Sequence, residues 1–490
     1  EEICRSLEEK REVRANLILL KEQLKEGDCM GAVRQWETDG RAIQSFLMHE
    51  DAKVRKNAAQ ILGLLALPDT AEALFRAYEG EEKRFVKSAY LQALLAFDCQ
   101  AYANTFRERY AKLCAAPVRE EERKHVREEI KALEKIIHKL NGAKKHRFTG
   151  YDREYEMILT THPKFREVTL EQLGNRKSSL VPFGVRVATC ALREILQIRT
   201  FRELLFLTDA VRHIEASPQA VADALFESDL MQMLCAMHEG EPPFYFRIEF
   251  KGGDMERRGD FIRRIASCIE EKFQRKLINS TDHYEFEIRL LPNRDQTLFA
   301  CLKFYTIPMR RFSYRKNASA LSMHPVTAAL LMRLAGPYLK EGAQVLDPFC
   351  GVGVLLVERD FLVPAGDMYG VDIFGEAILM ARENARTAGM NINYINRDIF
   401  DFTHKHLFDE IVTDMPARGK KTKEEQDQFY GRFFEKAASL LRSQGVIVMY
   451  SDENGFVKKQ LRLRPDFYLK KEYCIREKEG YYLFIINYKG

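Results

Sequence analysis

Four aspartates close apolar segments in the last third of the chain, and the first three fall at spacings suited to holding a nucleotide-like ligand. Gln344-Val-Leu reads as a strand entry that runs into Asp347-Pro-Phe-Cys-Gly-Val-Gly, and Val354–Arg359 then begins a helix. Gly351 and Gly353 let the backbone approach a ligand closely, and the helix start offers free N–H groups. Tyr369-Gly-Val-Asp372 is a second strand ending in an acid, 19 residues after Gly353, placed to accept hydrogen bonds from ribose hydroxyls. Glu376–Ala388 reads as an amphipathic helix, and a third strand at Ile392–Ile395 leads to Asp398. A fourth strand, Glu410-Ile-Val-Thr, ends in Asp414-Met415-Pro416-Ala417. Strand and helix alternate, so a doubly wound α/β domain is expected, with its ligand at the carboxyl ends of the strands.

Two ligands fit such a unit. A dinucleotide wants a third glycine for close helix–strand approach, and that position is Leu356. S-adenosylmethionine carries no phosphate; it needs a turn for its methionine part, an acid for its ribose and a polar residue for its adenine amine. Asp347 with Gly351 and Gly353, then Asp372, then Asp398 supply these in order, which favours adenosylmethionine. The plainest alternative is an α/β domain whose acids only cap helices. Cys350 has no base beside it and reads as packing. His324, next to Pro325, reads as a helix cap, and Glu358 either faces the cofactor or is solvated.

The motifs DPFCGVG, GVD and DMPA, with the strand Gly445-Val-Ile-Val-Met-Tyr near the C-terminus, resemble the RNA methyltransferases that follow a THUMP domain. Upstream, RRFSYRKN and then Ala318–Pro325 are similar to that family's Arg-Tyr-Arg linker and His-Pro helix start. The likeness covers roughly residues 150–490, with weaker motifs before 306. It implies a Rossmann-like class I methyltransferase domain at 323–490, reached through a basic linker at 311–322. It further implies a ferredoxin-like and THUMP-like RNA-binding region at 146–310, and transfer of methyl to the exocyclic N2 of guanosine in tRNA or rRNA. The family's fourth motif is Asp or Asn, Pro, Pro, then Tyr or Phe. The acid and a backbone carbonyl accept the two N–H bonds of the amine and turn its lone pair to the methyl sulfonium, while the aromatic stacks on the flipped base. Asp414 and Pro416 match as catalytic residues. Met415 replaces the first proline and Ala417 the aromatic, which forgoes stacking of about 1–3 kcal/mol. Arg418, Phe429 or Tyr430 could stack instead, the target could differ from guanine, or the domain could be a degenerate RNA-binding scaffold. A methyltransferase acting on a non-RNA substrate is the remaining reading.

These residues need a scaffold, and the rest of the 490-residue chain reads as two further parts. Residues 1–145 are an all-α region rich in Ala, Leu, Glu, Lys and Arg. Within it VRKNAAQILGLL at Val54 and VKSAYLQALLAF at Val86 repeat after 32 residues, a pattern that resembles stacked HEAT hairpins and offers a surface for a protein partner or RNA. From Arg119 to Leu140 a charged helix carries Val126, Ile130, Leu133, Ile137 and Leu140 along one stripe, with Asn141-Gly142 as its stop. Residues 146–310 are α+β, with a strongly alternating strand at Phe244–Phe250 and a helix near Arg257–Leu277.

Net charge is +5, and residues 241–317 carry that whole excess with sixteen Lys+Arg against eleven Asp+Glu. Arg257, Arg258, Arg263 and Arg264, with Lys272, Arg275 and Lys276, crowd one helix; Arg310, Arg311, Arg315 and Lys316, with Tyr314, follow the last strand. Guanidinium groups pair with phosphates and aromatics stack on bases, so these are the expected RNA contacts. The ten cysteines offer no CxxC pair and no zinc spacing, so no metal is expected. Without a long apolar run or a secretory pattern at the charged N-terminus, the reading is a soluble cytoplasmic protein with no membrane contact. The sequence leaves the oligomeric state open.

Overall fold

A computed structural model describes residues 2–26, 29–115, 120–141, 146–210, 212–250, 258–319 and 322–490. The chain divides into two compact units, Glu1–Lys145 and His146–Gly490.

The first unit is helical throughout its described residues. Its two similar segments form the helices Ala52–Leu65 and Arg84–Leu94, which pack directly on each other. Gly63 permits that contact, because a Cβ there would stand 2.7 Å from the Ala93 Cα. Asp51 caps the first of the two, accepting the Lys53 N–H at 2.8 Å. Leu17, Leu20, Ile61, Leu62, Val86 and Leu91 are among the side chains that fill the core between helices. The charged helix spans Arg123–Asn141 and buries Val126, Ile130, Leu133 and Ile136, as its apolar spacing requires. Gly142 of its expected stop signal lies outside the described residues.

The second unit carries two large sheets. The first, of eight strands, runs in the order Lys177–Val181, Gly184–Thr189, Tyr155–Thr160, Leu204–Phe206, Leu298–Phe304, Phe286–Pro292, Phe244–Phe250, Leu277–Asn279. Phe244–Phe250 alternates buried and half-buried residues along its whole length, the period-2 pattern visible in its sequence. The helix near 257–277 forms as Arg258–Lys272, so its basic residues Arg275 and Lys276 fall beyond its end.

The second sheet is built from β1 (Val345–Asp347), β2 (Met368–Asp372), β3 (Asn393–Asn396), β4 (Phe408–Asp414), β5 (Leu441–Ser451), β6 (Phe467–Arg476) and β7 (Tyr481–Tyr488). Their order is β3-β2-β1-β4-β5-β7-β6, parallel except for β7, which runs antiparallel to both neighbours. The helices α1 (Val354–Leu362), α2 (Gly375–Ala388), α3 (Lys423–Leu440) and α4 (Asn454–Leu463) link the strands. Strand order reverses between β1 and β4, which opens a crevice at their carboxyl ends. Buried Arg359 on α1 clamps β4 through Glu410, with Nε–Oε2 and Nη2–Oε1 both 2.9 Å, and also donates to the Lys340 carbonyl at 2.7 Å.

The start of the segment expected as a basic linker is packed rather than free, with Arg311 and Tyr314 buried. Arg311 is buried, donates to the carbonyls of Ile198 (3.0 Å), Phe201 (2.7 Å) and Arg202 (3.3 Å), and lies over the Phe201 ring. The Tyr314 hydroxyl donates to Glu358 at 2.7 Å, and Arg199 grips the same carboxylate with two bonds of 2.7 Å. A buried carboxylate needs such partners, so Glu358 neither faces a cofactor nor meets solvent.

Candidate active site

The crevice between β1 and β4 gathers the acids singled out from the sequence. Alternation along the strands puts Asp347, Asp414 and Tyr450 on one face, with Val345, Val412 and Val448 two residues behind them. Asp347 closes β1 and is almost wholly buried, accepting the Phe349 N–H at 3.1 Å. Burial pushes its carboxyl well above the ordinary range, and the nearby charges of Asp414 and Asp372 push it further.

The glycine turn that follows is tightly specified. Gly353 has φ +82°, and a Cβ there would stand 2.2 Å from the Tyr394 hydroxyl on β3. The Tyr394 ring also lies under Gly370 on β2, where a Cβ would come within 2.6 Å of it. Gly351 is left-handed too, at φ +51°, yet faces open space. Asp372, at the end of β2, accepts the Gly351 N–H at 2.8 Å through one oxygen and the Phe374 N–H at 2.9 Å through the other. These bonds fix the carboxylate and leave each oxygen a lone pair for a ligand hydroxyl. Beside it Ile373 and Phe374 are 60% and 66% exposed, an apolar surface next to the fixed carboxylate. Asp398 is exposed, one strand further out, and one of its oxygens caps the turn Ile399–Asp401 through the Phe400 N–H at 3.0 Å. Asn384 on α2 holds the donor turn from behind, donating to the Val352 and Asn317 carbonyls at 3.0 and 3.1 Å.

These residues fit adenosylmethionine. A small-residue turn, a fixed ribose acceptor, an apolar platform and an outer acid stand in sequence across β1, β2 and β3.

At the end of β4 the Met415 N–H donates to the Tyr450 carbonyl at 2.9 Å, extending the β4–β5 register by one residue. The Met415 side chain is buried in the core under α3, so packing anchors the turn that proline rigidity holds in the resembling family. Burial, reinforced by the charge of Asp452, pushes the Asp414 carboxyl up to about 7, with Arg476 pulling the other way. Ala417 is exposed. Of the possible substitutes for its missing aromatic, Tyr430 is buried, with its hydroxyl 2.7 Å from the Ser451 Oγ, and cannot stack on a base. Phe429 is half-buried between Phe349 and Phe400, with ring centroids 5.6 and 5.7 Å away. Arg418 lies 4.0 Å from Glu453. The sequence reading missed another aromatic pair: Tyr450, register partner of Asp414, stacks on Tyr481 at 4.9 Å and 21°. The buried Tyr450 hydroxyl and Asp452 Oδ1 have no hydrogen-bond partner among the described residues, so polar capacity stands unused around Asp414.

The expected RNA contacts divide. Arg311 and Tyr314 are corrected: both are buried, satisfied by carbonyls and by Glu358, and present nothing to a nucleic acid. Arg310 and Lys316 are exposed, while Arg315 is half-buried and donates to the Ser322 hydroxyl at 2.8 Å. Arg264 is exposed, Arg263 pairs with Asp260, and Arg258 donates to the Phe250 carbonyl. Arg257 lies outside the described residues. His324 caps the helix Pro325–Ala335, its Nδ1 accepting the Val326 N–H at 3.2 Å, and Cys350 is buried, its thiol pushed up by burial.

Comparison with known proteins places this geometry. Residues 313–478 match the family UPF0020, an RMKL-like methyltransferase domain. The tRNA (guanine(10)-N2)-dimethyltransferase of Methanothermobacter thermautotrophicus is 29% identical over 156 residues, 30% of this chain and 45% of that protein. The U6 snRNA (guanine-N(2))-methyltransferase THUMPD2 of Bos taurus is 29% identical over 153 residues, 31% of this chain and 29% of its own. The chain thus spans less than half the length of these curated relatives. Among solved structures, SMU.472 complexed with SAH shares the fold with a TM-score of 0.55 at 14% identity, over 69% of this chain and 99% of that one.

Proposed function

With a methyltransferase domain of the RMKL-like type at residues 313–478, we propose that the protein transfers a methyl group from S-adenosylmethionine to the exocyclic N2 of a guanosine in tRNA or rRNA. The observation that carries this reading is the convergence of Asp347, Asp372 and Asp414 on one crevice of a sheet ordered β3-β2-β1-β4-β5-β7-β6. The two curated relatives act, by their names, on guanine N2 of a tRNA and of a U6 snRNA.

Bound adenosylmethionine supplies the methyl group as part of a sulfonium. Gly351 and Gly353 open the turn for its methionine part, Asp372 accepts from its ribose, Ile373 lies against its adenine, and Asp398 accepts from the adenine amine. On the acceptor side the amine nitrogen has its lone pair drawn into the base ring. The Asp414 carboxylate and the Met415 carbonyl accept its two N–H bonds and turn lone-pair density towards the methyl. Pro416 shapes that turn. Asp414 accepts most strongly when ionised, and a neighbouring cationic sulfonium favours its ionised form. The N–C bond forms as the S–C bond breaks and S-adenosylhomocysteine is left; only then does the nitrogen pass one proton to Asp414 and on to solvent, so no strong base is needed.

The finer organisation belongs to the same reading. Residues 1–145 are a HEAT-like module, 146–310 a ferredoxin-like and THUMP-like RNA-binding region, 311–322 the basic linker and 323–490 the methyltransferase domain. Arg258, Arg263, Arg264, Arg310, Arg315 and Lys316 contribute RNA contacts. A cytoplasmic site of action fits a chain with no helix, among the described residues, long and apolar enough to cross a membrane. The exposed Ala417 favours one second reading, an RNA-binding scaffold that keeps the transferase shell.

Nucleoside mass spectrometry of tRNA and rRNA from cells with and without the protein separates the two. Loss of an N2-methylguanosine is expected; an unchanged profile, with RNA binding retained, supports the scaffold.

A further inference from the structure

Two cation-rich helices, Arg258–Lys272 and Arg123–Asn141, use their cations in opposite ways. On Arg258–Lys272, Arg263 pairs with Asp260 and Lys272 with Asp223, and just beyond its end Arg275 lies 3.4 Å from Glu270. On Arg123–Asn141 of the helical unit it is the acids that are consumed. Glu129 is fully buried and receives Arg109 Nε at 2.9 Å and the Tyr78 hydroxyl at 3.1 Å. The Tyr110 hydroxyl donates to Glu134 at 3.1 Å, and Glu128 lies 3.4 Å from His125 Nδ1. Lys124, Arg127, Lys131 and Lys135 are all exposed, with no ion-pair or hydrogen-bond partner among the described residues.

At about 100° per residue these four positions fall within one narrow arc opposite the buried Val126, Ile130 and Leu133 side. They form a row about 16 Å long at 1.5 Å rise per residue. Arg127, Lys131 and Lys135 are successive like charges at i, i+4, an arrangement that destabilises a helix unless an anion relieves it. Among the described residues no carboxylate pairs with any of the three, and Glu128 beside them lies against His125. A groove lined by Arg123, Lys124, Arg127, Glu128 and Lys131 runs along the same surface.

We propose that this row is a phosphate-backbone contact, through which the helical unit holds an RNA without reading its bases. The inference rests on RNA being the substrate, as argued above. Long cations in line neutralise successive phosphates and fix position, while base edges need side chains of other types. Binding through the row is therefore tolerant of sequence and steeply dependent on salt.

The test uses the full chain and unfractionated tRNA, with fluorescence anisotropy read from 50 to 300 mM KCl. The variant joins Lys124→Gln, Arg127→Gln, Lys131→Gln and Lys135→Gln, all exposed, and removes the like-charge repulsion along the row, so its thermal melting should equal or slightly exceed the parent's. Each lost phosphate contact lowers the slope of log affinity against log salt by about 0.7–0.9, so the slope should fall by about three. Affinity at 100 mM KCl should fall at least tenfold, with calorimetric binding of adenosylmethionine unchanged. A variant that keeps the parent's affinity and slope overturns the row as an RNA contact and leaves these helices to a protein partner. A parent chain with no salt-dependent affinity for tRNA overturns the RNA reading and the row together.

Discussion

The crevice has two halves built to different standards. In the donor half, at the ends of β1 to β3, the central devices are tightly held: Asp372 by two backbone N–H groups and Gly353 by its close approach to Tyr394. In the acceptor half, at the ends of β4 and β5, burial raises the Asp414 carboxyl to about 7, Ala417 is exposed, and the Tyr450 hydroxyl and Asp452 Oδ1 have no partner among the described residues. The donor is one fixed molecule, so its half can be rigid. On the proposed function the acceptor half admits a base drawn out of an RNA, and the polar atoms left unsatisfied there among the described residues are capacity for it.

Substitutions in one half should leave the other intact. The largest expected effect comes from Asp414→Ala, which should slow transfer by roughly 10²–10³-fold, in the range for losing one oriented polar partner of the transition state. Calorimetric affinity for adenosylmethionine should fall only a few-fold, through the lost charge beside the sulfonium, so a loss matching that of transfer would merge the two halves.

Gly353→Ala acts from the other side. Its Cβ would stand 2.2 Å from the Tyr394 hydroxyl at φ +82°, so donor affinity should fall roughly tenfold and stability by about 2 kcal/mol. Gly351→Ala, facing open space at φ +51°, should cost only about 1 kcal/mol. Adding Tyr394→Phe to Gly353→Ala should recover part of the loss in melting temperature, since the hydroxyl is the nearest obstruction.

The pH profile reads Asp414 directly. With its carboxyl raised to about 7, the free enzyme is half competent near pH 7, and kcat/KM should drop roughly tenfold per unit below that. Asp414→Asn should flatten the limb. The stability sign is the reverse. Burial favours the protonated form in the folded state, so this group's contribution is fully present below its unfolded value and is lost as pH rises from about 4 to about 7. At pH 8 the apoprotein carrying Asp414→Asn should therefore melt above the parent.

The smallest effect concerns the missing ring. Ala417→Tyr should restore stacking and lower KM for RNA a few-fold, within the 1–3 kcal/mol that such contacts contribute. No change would mean that the Tyr450–Tyr481 pair already supplies the surface, and Tyr481→Ala should then raise KM by a comparable factor.

What the sequence disclosed follows the same division. The donor half was legible because its devices are local: a strand ending in an acid, a glycine turn, a second acid 19 residues on. Tyr394, which makes Gly353 obligatory, reads as one more strand aromatic until the β2–β3 pairing brings it under the turn. Arg311 and Tyr314 misled because an arginine-and-tyrosine run has the composition of an RNA surface. Only tertiary packing gives Arg311 its three carbonyls from 198–202 and Tyr314 its Glu358. The strand Lys177–Val181 escaped for a related reason: it is an edge strand, largely exposed, without an apolar alternation. The charge of Arg123–Asn141 was visible, but not that its acids turn inward and its cations outward.

The most direct test of the central claim is transfer of labelled methyl from adenosylmethionine to unmodified tRNA and rRNA transcripts, followed by nucleoside mass spectrometry. The account predicts label in N2-methylguanosine, abolished by Asp414→Ala while adenosylmethionine still binds. Label in no nucleoside, or label that survives Asp414→Ala undiminished, would contradict it.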